Sequence, residues 1–165
     1  MESMRASFDG HEVAWKQFLR AYHLQMAGRL DDALAAYRAS IDAFPTAEAL
    51  TFYGWTLSFM GRIDEAIHAC RRAIDTDPDF GNPYNDIGAY LLQLGRPSEA
   101  IPWLEKALTA PRYESPAFPH CNLGAAFEAL GRVRSAIDHY KRALALAPDR
   151  DFARKRLLHL VGQMN

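Results

Sequence analysis

Six histidines, two cysteines and a scatter of carboxylates are the residues with which this 165-residue chain could do covalent or metal chemistry. His11, His23, His68, His120, His139 and His159 nowhere reach metal-ligand spacing with a cysteine or carboxylate. His120 and Cys121 are adjacent, but neighbours on a helix diverge by about a quarter turn and suit neither a dyad nor a chelate. The predicted role of His120 is that of a partly buried structural residue. Asp86 and Glu128 can face the same way, yet nothing around them marks a general acid and base pair. The sequence has no phosphate-cradling loop, dinucleotide fingerprint or nucleophile elbow. It predicts no enzyme, no metal and no cofactor.

What remains is the chemistry of recognition. Asn82-Pro83-Tyr84-Asn85-Asp86 sets two amides and a carboxylate around a proline, just before an apolar run. Proline suits a first helical turn, where its missing N–H has no partner to lose. Tyr84 then points inward and Asn82, Asn85 and Asp86 do not. Asparagines can hold a bound peptide's main chain through paired donor and acceptor bonds. A second set is aromatic. Trp15, Phe18, Tyr22 and Met26 step by three, four and four residues, and Phe52, Trp55 and Phe59 follow the same rhythm, with Thr51 and Ser58 beside them. Phe118, Cys121, Asn122, Ala125 and Glu128 continue the series. Rings give much contact area for little lost entropy, which suits gripping an apolar or helical segment.

The elements that must hold these residues come from a repeat. Gly-Arg recurs at Gly28, Gly61, Gly95 and Gly131, in steps of 33, 34 and 36 residues. In phase with it stand Ala21, Gly54, Gly88 and Gly124 before the turn, then Ala33, Ala66, Ala100 and Ala136, then Ser40, Ala73, Ala107 and Ala143. Pro45, Pro78 and Pro148 close three of the four periods. Apolar residues three and four apart mark one helical face on each side of the glycine. Each period is thus a helical hairpin with small residues where its helices cross, and it must stack on its neighbours to bury its apolar face.

This pattern resembles the tetratricopeptide repeat (TPR) family over residues 14–150. The resemblance implies an all-α, right-handed α-solenoid of four hairpins, at about 14–46, 47–80, 81–116 and 117–150. Residues 1–13 precede it, and a capping helix at 151–165 carries Ala153, Leu157, Leu160, Val161 and Met164 on its apolar side. The family's frequent early tryptophan is replaced by Gln17, Leu50, Tyr84 and His120. Arg20 stands where the other repeats have Tyr53, Ile87 and Leu123, so the first repeat is expected to pack less fully. The run Pro111–Pro116 predicts a longer loop, and Pro102 should cost its helix a hydrogen bond.

Family membership also implies a function. The inner groove of such proteins commonly binds an extended or helical peptide, and here it would be lined by Trp15, Phe18, Tyr22, Met26, Phe52, Trp55, Phe59, Asn82, Asn85, Asp86, Phe118 and Asn122. The basic clamp by which one subclass holds a terminal carboxylate is not matched, since those places hold Phe18, Tyr22, Phe52, Asn82 and Asp86. The main expectation is a non-enzymatic adaptor that binds a protein or peptide segment. An alternative is an assembly factor for pilus, secretion, motility or polarity machinery, because Ala107–Gly124 looks like the long-loop repeat of TPR pilot proteins. A further alternative is a self-associating module whose aromatic face is a homodimer contact.

Composition bounds the partner. Nineteen basic against twenty acidic residues leave a net charge of −1, with no excess to neutralise a phosphate backbone, so nucleic acid is not expected. No run approaches a membrane span, and MESMRASFDGHEV lacks a signal peptide's apolar stretch. With two unpatterned cysteines, these features predict a cytoplasmic protein with no disulfide framework.

Overall fold

The computed structural model describes residues 2–113 and 115–163, with side chains from residue 10 onward. Glu114 of the long loop and Met164 of the last helix lie outside the described residues. The fold is all-α, four helical hairpins followed by a single helix, and it divides into two compact units, residues 1–78 and 79–165. The first unit holds α1 (Glu2–Met26), α2 (Leu30–Ala43), α3 (Ala47–Phe59) and α4 (Ile63–Thr76). The second holds α5 (Asn82–Gln93), α6 (Pro97–Thr109), α7 (Ala117–Ala129), α8 (Val133–Leu146) and α9 (Asp151–Gly162). Residues 2–13 belong to α1.

The recurring Gly-Arg pair makes every hairpin turn. Gly28, Gly61, Gly95 and Gly131 all have φ between 69° and 76°, the left-handed region open to a residue without Cβ. At the first turn Gly28 N–H donates to Gln25 O (3.0 Å) and Arg29 N–H to Leu24 O (2.9 Å). That crossed pair satisfies carbonyls the helix end would leave bare. The arginine begins the next helix and reaches the acid three residues on: Arg29 to Asp32, Arg62 to Glu65 and Arg96 to Glu99. Arg132 has Ser135 at that place. These pairs are exposed and add little stability, but they draw the chain over the turn.

Small residues let each hairpin's helices cross. A Cβ on Gly124 would sit 2.6 Å from Tyr140 Cε1, and one on Gly88 would sit 2.4 Å from Leu104 Cδ2. In the first unit Ala21, Ala33, Ala36 and Tyr37 form one core cluster, closed by Phe18, Leu24, Phe52 and Tyr53. In the second, Cys121, Ala136, Ile137, Tyr140 and Ala143 pack with Ala153 and Leu160 of α9, so the last helix caps the core as its apolar stripe predicts. Val161, expected on that stripe, is 41% exposed.

The loop between α6 and α7 spans residues 110–116 and is tied down. Arg112 N–H donates to Asp79 O and Gly81 N–H to Arg112 O, each at 3.0 Å, forming a parallel bridge between Phe80 and Arg112. Gly81 allows this approach, since a Cβ there would lie 2.4 Å from Tyr113 Cβ. Pro102 lies inside α6, where its ring removes an N–H from the helical ladder.

Candidate protein-binding site

The sequence-selected residues fall into two sets, one in each unit. In the first unit the rings make a continuous row along α1 and α3. Trp15 stacks on Phe18 (5.7 Å, 11° between planes), Phe18 meets Phe52 edge-on (5.4 Å), Phe52 meets Trp55 (5.6 Å), and Trp55 meets Phe59 (5.2 Å). Tyr22 joins from α1 at 5.9 Å from Phe52. Phe18 and Phe52 are half-buried and rest against Tyr37, whose hydroxyl donates to Gln25 Oε1 (2.8 Å) inside the core. The inner rings therefore carry the fold, and the outer ones are open. Trp15 is 59% exposed, Met26 53%, Phe59 57% and Trp55 37%. A cleft bounded by His11, Ala14, Trp15, Phe18, Glu48 and Phe52 opens beside the row.

Why the rings line up is written in the helix period. Residues three or four apart share a face, so the two helices that carry the small crossing residues inward carry the rings on the neighbouring face. The outer rings leave a contiguous row of apolar side chains open on this face.

In the second unit the set is polar. Asn82 is exposed in the first turn of α5, and Tyr84 is buried, as predicted. Asn85 turns out to be buried, at 8% exposure, where its amide both accepts and donates a side-chain hydrogen bond. Asn122 Nδ2 donates to Asn85 Oδ1 (3.0 Å), and Asn85 Nδ2 donates to Asp86 Oδ1 (3.3 Å). Asp86 is half-buried, and desolvation pushes its carboxyl up to about 7 against the single amide bond that favours the charged form. Phe118 is 45% exposed beneath the guanidinium of Arg150, 3.5 Å from its ring centre.

Several partners were invisible to sequence reasoning. Tyr113, in the long loop, has its phenol pushed up by burial and by the charge of Asp86, and Arg150 opposes that rise. Glu128 accepts from the Tyr140 hydroxyl (2.9 Å) and pairs with Arg156 of α9, so it is engaged within the fold. His120 and His139 meet across the α7–α8 hairpin, Nδ1 to Nδ1 at 3.0 Å, with Phe127 stacked on His139. Burial lowers both imidazoles, His139 to about 4. A separation of nineteen residues has no helical period in common, and only the hairpin brings them together. Among the described residues no three His, Cys, Asp or Glu side chains gather as a metal site.

Profiles described as Tetratricopeptide repeat match residues 18–79 and 79–149. The chain belongs to the tetratricopeptide repeat family. Its hairpins are TPR motifs, and the fold is that of non-catalytic interaction scaffolds. No curated protein matches the sequence. Among solved structures it is similar to PilW, described as a widely conserved type IV pilus biogenesis factor. Identity is 25%, over 90% of this chain and 68% of PilW, with a TM-score of 0.83. PilF of Pseudomonas aeruginosa shares the fold at 17% identity, over 94% of this chain and 71% of the other (TM-score 0.88). The first TPR of Spaghetti (RPAP3), solved with an HSP90 peptide, shares it at 24% identity over 72% and 93% of the two chains (TM-score 0.67).

One expectation is corrected here. The composition and first residues predict a cytoplasmic protein, and the likeness to PilW, described as a type IV pilus biogenesis factor, overturns it. The physical reason is that a TPR surface carries no mark of compartment: few cysteines and a near-neutral charge suit either side of a membrane. No helix among the described residues is long and apolar enough to cross one.

Proposed function

We propose that this TPR protein is an assembly factor of the pilot type for a pilus or related secretion or motility machine, and that it works by holding a segment of a machine component on its aromatic face. The observation that carries the assembly reading is the similarity to PilW across nine-tenths of the chain. The exposed row Trp15, Trp55 and Phe59 supports the site, because it offers rigid rings already ordered by Phe18 and Phe52. A partner then gains apolar burial without paying to order the surface.

The test is a pull-down from the source cell envelope with wild type beside Trp55→Ala/Phe59→Ala. Circular dichroism must first show equal helicity. The expected result is a pilus, secretion or motility component retained by wild type and lost, by at least about tenfold, from the variant. Equal retention by both proteins moves the site off this face. A specific partner from outside any such machine overturns the assembly reading and leaves a general adaptor. Light scattering on the same samples would reassign the face to a second copy if mass rose with concentration in wild type alone.

A further inference from the structure

We propose that the second unit binds a basic side chain of its partner, a lysine or arginine, against the carboxylate of Asp86 at the end of the Asn122–Asn85 amide chain. The inference rests on the reading of this chain as a protein-binding module and adds the chemistry that its polar half selects.

The geometry has a direction. Asn122 gives an N–H to Asn85, and Asn85 gives one to Asp86, so both amide dipoles are turned toward one carboxylate. Asn85 is held rigid by burial, and the arrangement is built before any ligand arrives. Among the described residues Asp86 nevertheless accepts only that one side-chain bond, from a neutral donor, and makes no ion pair. A half-buried carboxylate in that state is costly, and a cation at hydrogen-bond distance removes most of the cost. An incoming acid would raise it instead.

The surroundings agree. Tyr113 lies near enough for the charge of Asp86 to act on its phenol, and it offers a ring for a methylene stem and an oxygen for an ammonium. The charged or titratable groups around the patch include Tyr113 and Arg112 from the loop, Cys121 from α7 and Arg150 at the start of α9; the Arg112 guanidinium lies over the ring of Phe80 (5.1 Å) and does not enter the balance at Asp86. Arg150 acts on Tyr113 and Cys121, but its guanidinium lies on Phe118 and does not enter the balance at Asp86. Asp86 therefore waits for a cation that the described chain does not supply.

The test uses the full chain, labelled for NMR, and three blocked peptides: acetyl-Ala-Lys-Ala-amide, its glutamate counterpart and its norleucine counterpart. The lysine peptide alone is expected to shift the side-chain amide signals of Asn85 and Asn122 in a saturable way. Its affinity is expected to rise about tenfold from pH 6 to pH 8, as a group titrating at about 7 goes from mostly protonated to mostly ionised. Asp86→Asn should abolish the response while keeping the fold. Preference for the glutamate peptide, equal shifts from norleucine, or no saturable shift in the tens of millimolar overturns the proposal. None of these outcomes touches the Trp55/Phe59 pull-down, so a failure here stays distinct from a failure of the assembly reading.

Discussion

At the scale of single residues, the same small residues that permit the fold make it brittle in specific places. Tyr140 is fully buried and pinned by its bond to Glu128, so it cannot yield to a methyl group on Gly124. Gly124→Ala is expected to cost about 1–3 kcal/mol, read as a lower thermal midpoint with helicity retained below it. Gly28→Ala meets open space but keeps a φ of 74°, so its cost should be nearer about 1 kcal/mol and purely conformational. Asp86 gives a test with the opposite sign. Its folded pKa of about 7 lies above the unfolded value of 3.8, so the folded protein holds the extra proton and stability is lost as pH rises through that window. Asp86→Asn should therefore raise the melting temperature by about 3–8 °C at pH 8 and leave it unchanged at pH 4. A variant no more stable at pH 8 would mean the carboxylate is not desolvated.

At the scale of elements, the α7–α8 hairpin carries a second pH response that runs the other way. His139 is held at about 4 and His120 below its ordinary value, so both bind protons more readily when unfolded. Their contribution is present above about 6.5 and is lost as pH falls toward 4. In an Asp86→Asn background, where the opposing carboxylate no longer titrates, thermal stability should fall over that range, and His139→Phe should flatten the fall. Calorimetry across pH reads both. The hairpins themselves were legible in the sequence. Gly-Arg, the alanine five residues on and the small residue seven before it are local, and each has a single physical job. The aromatic row was legible for the same reason, as a helical period. What the sequence hid were pairs made across a hairpin or from a loop: His120 with His139, Tyr113 beside Asp86, Arg150 on Phe118. Their partners lie 19 to 32 residues apart, and no periodicity links a loop residue to a helix face. The burial of Asn85 belongs with these, because it depends on finding Asn122.

At the scale of the whole molecule, packing within each unit joins helices that are neighbours or near-neighbours in sequence, such as α1 with α2, α3 with α4 and α8 with α9. Stability in such a chain is a sum of local terms, and folding needs little long-range closure. Fragments 1–78 and 79–165 each hold complete hairpins and their own core, so each is expected to give a helical spectrum and a cooperative melt when made alone. A fragment without secondary structure would show that its core is insufficient by itself. The tyrosine bonds, finally, say something about descent. Tyr37 with Gln25 and Tyr140 with Glu128 occupy the same places in the first and fourth hairpins, where the middle two have Cys70 with Ser58 and Leu104 with Leu92. Glu128 further depends on Arg156 of the terminal helix. A duplicated fourth hairpin would strand a carboxylate wherever no such arginine followed, whereas a copied second or third carries no such debt. The second and third hairpins are therefore the ones this fold can copy most safely.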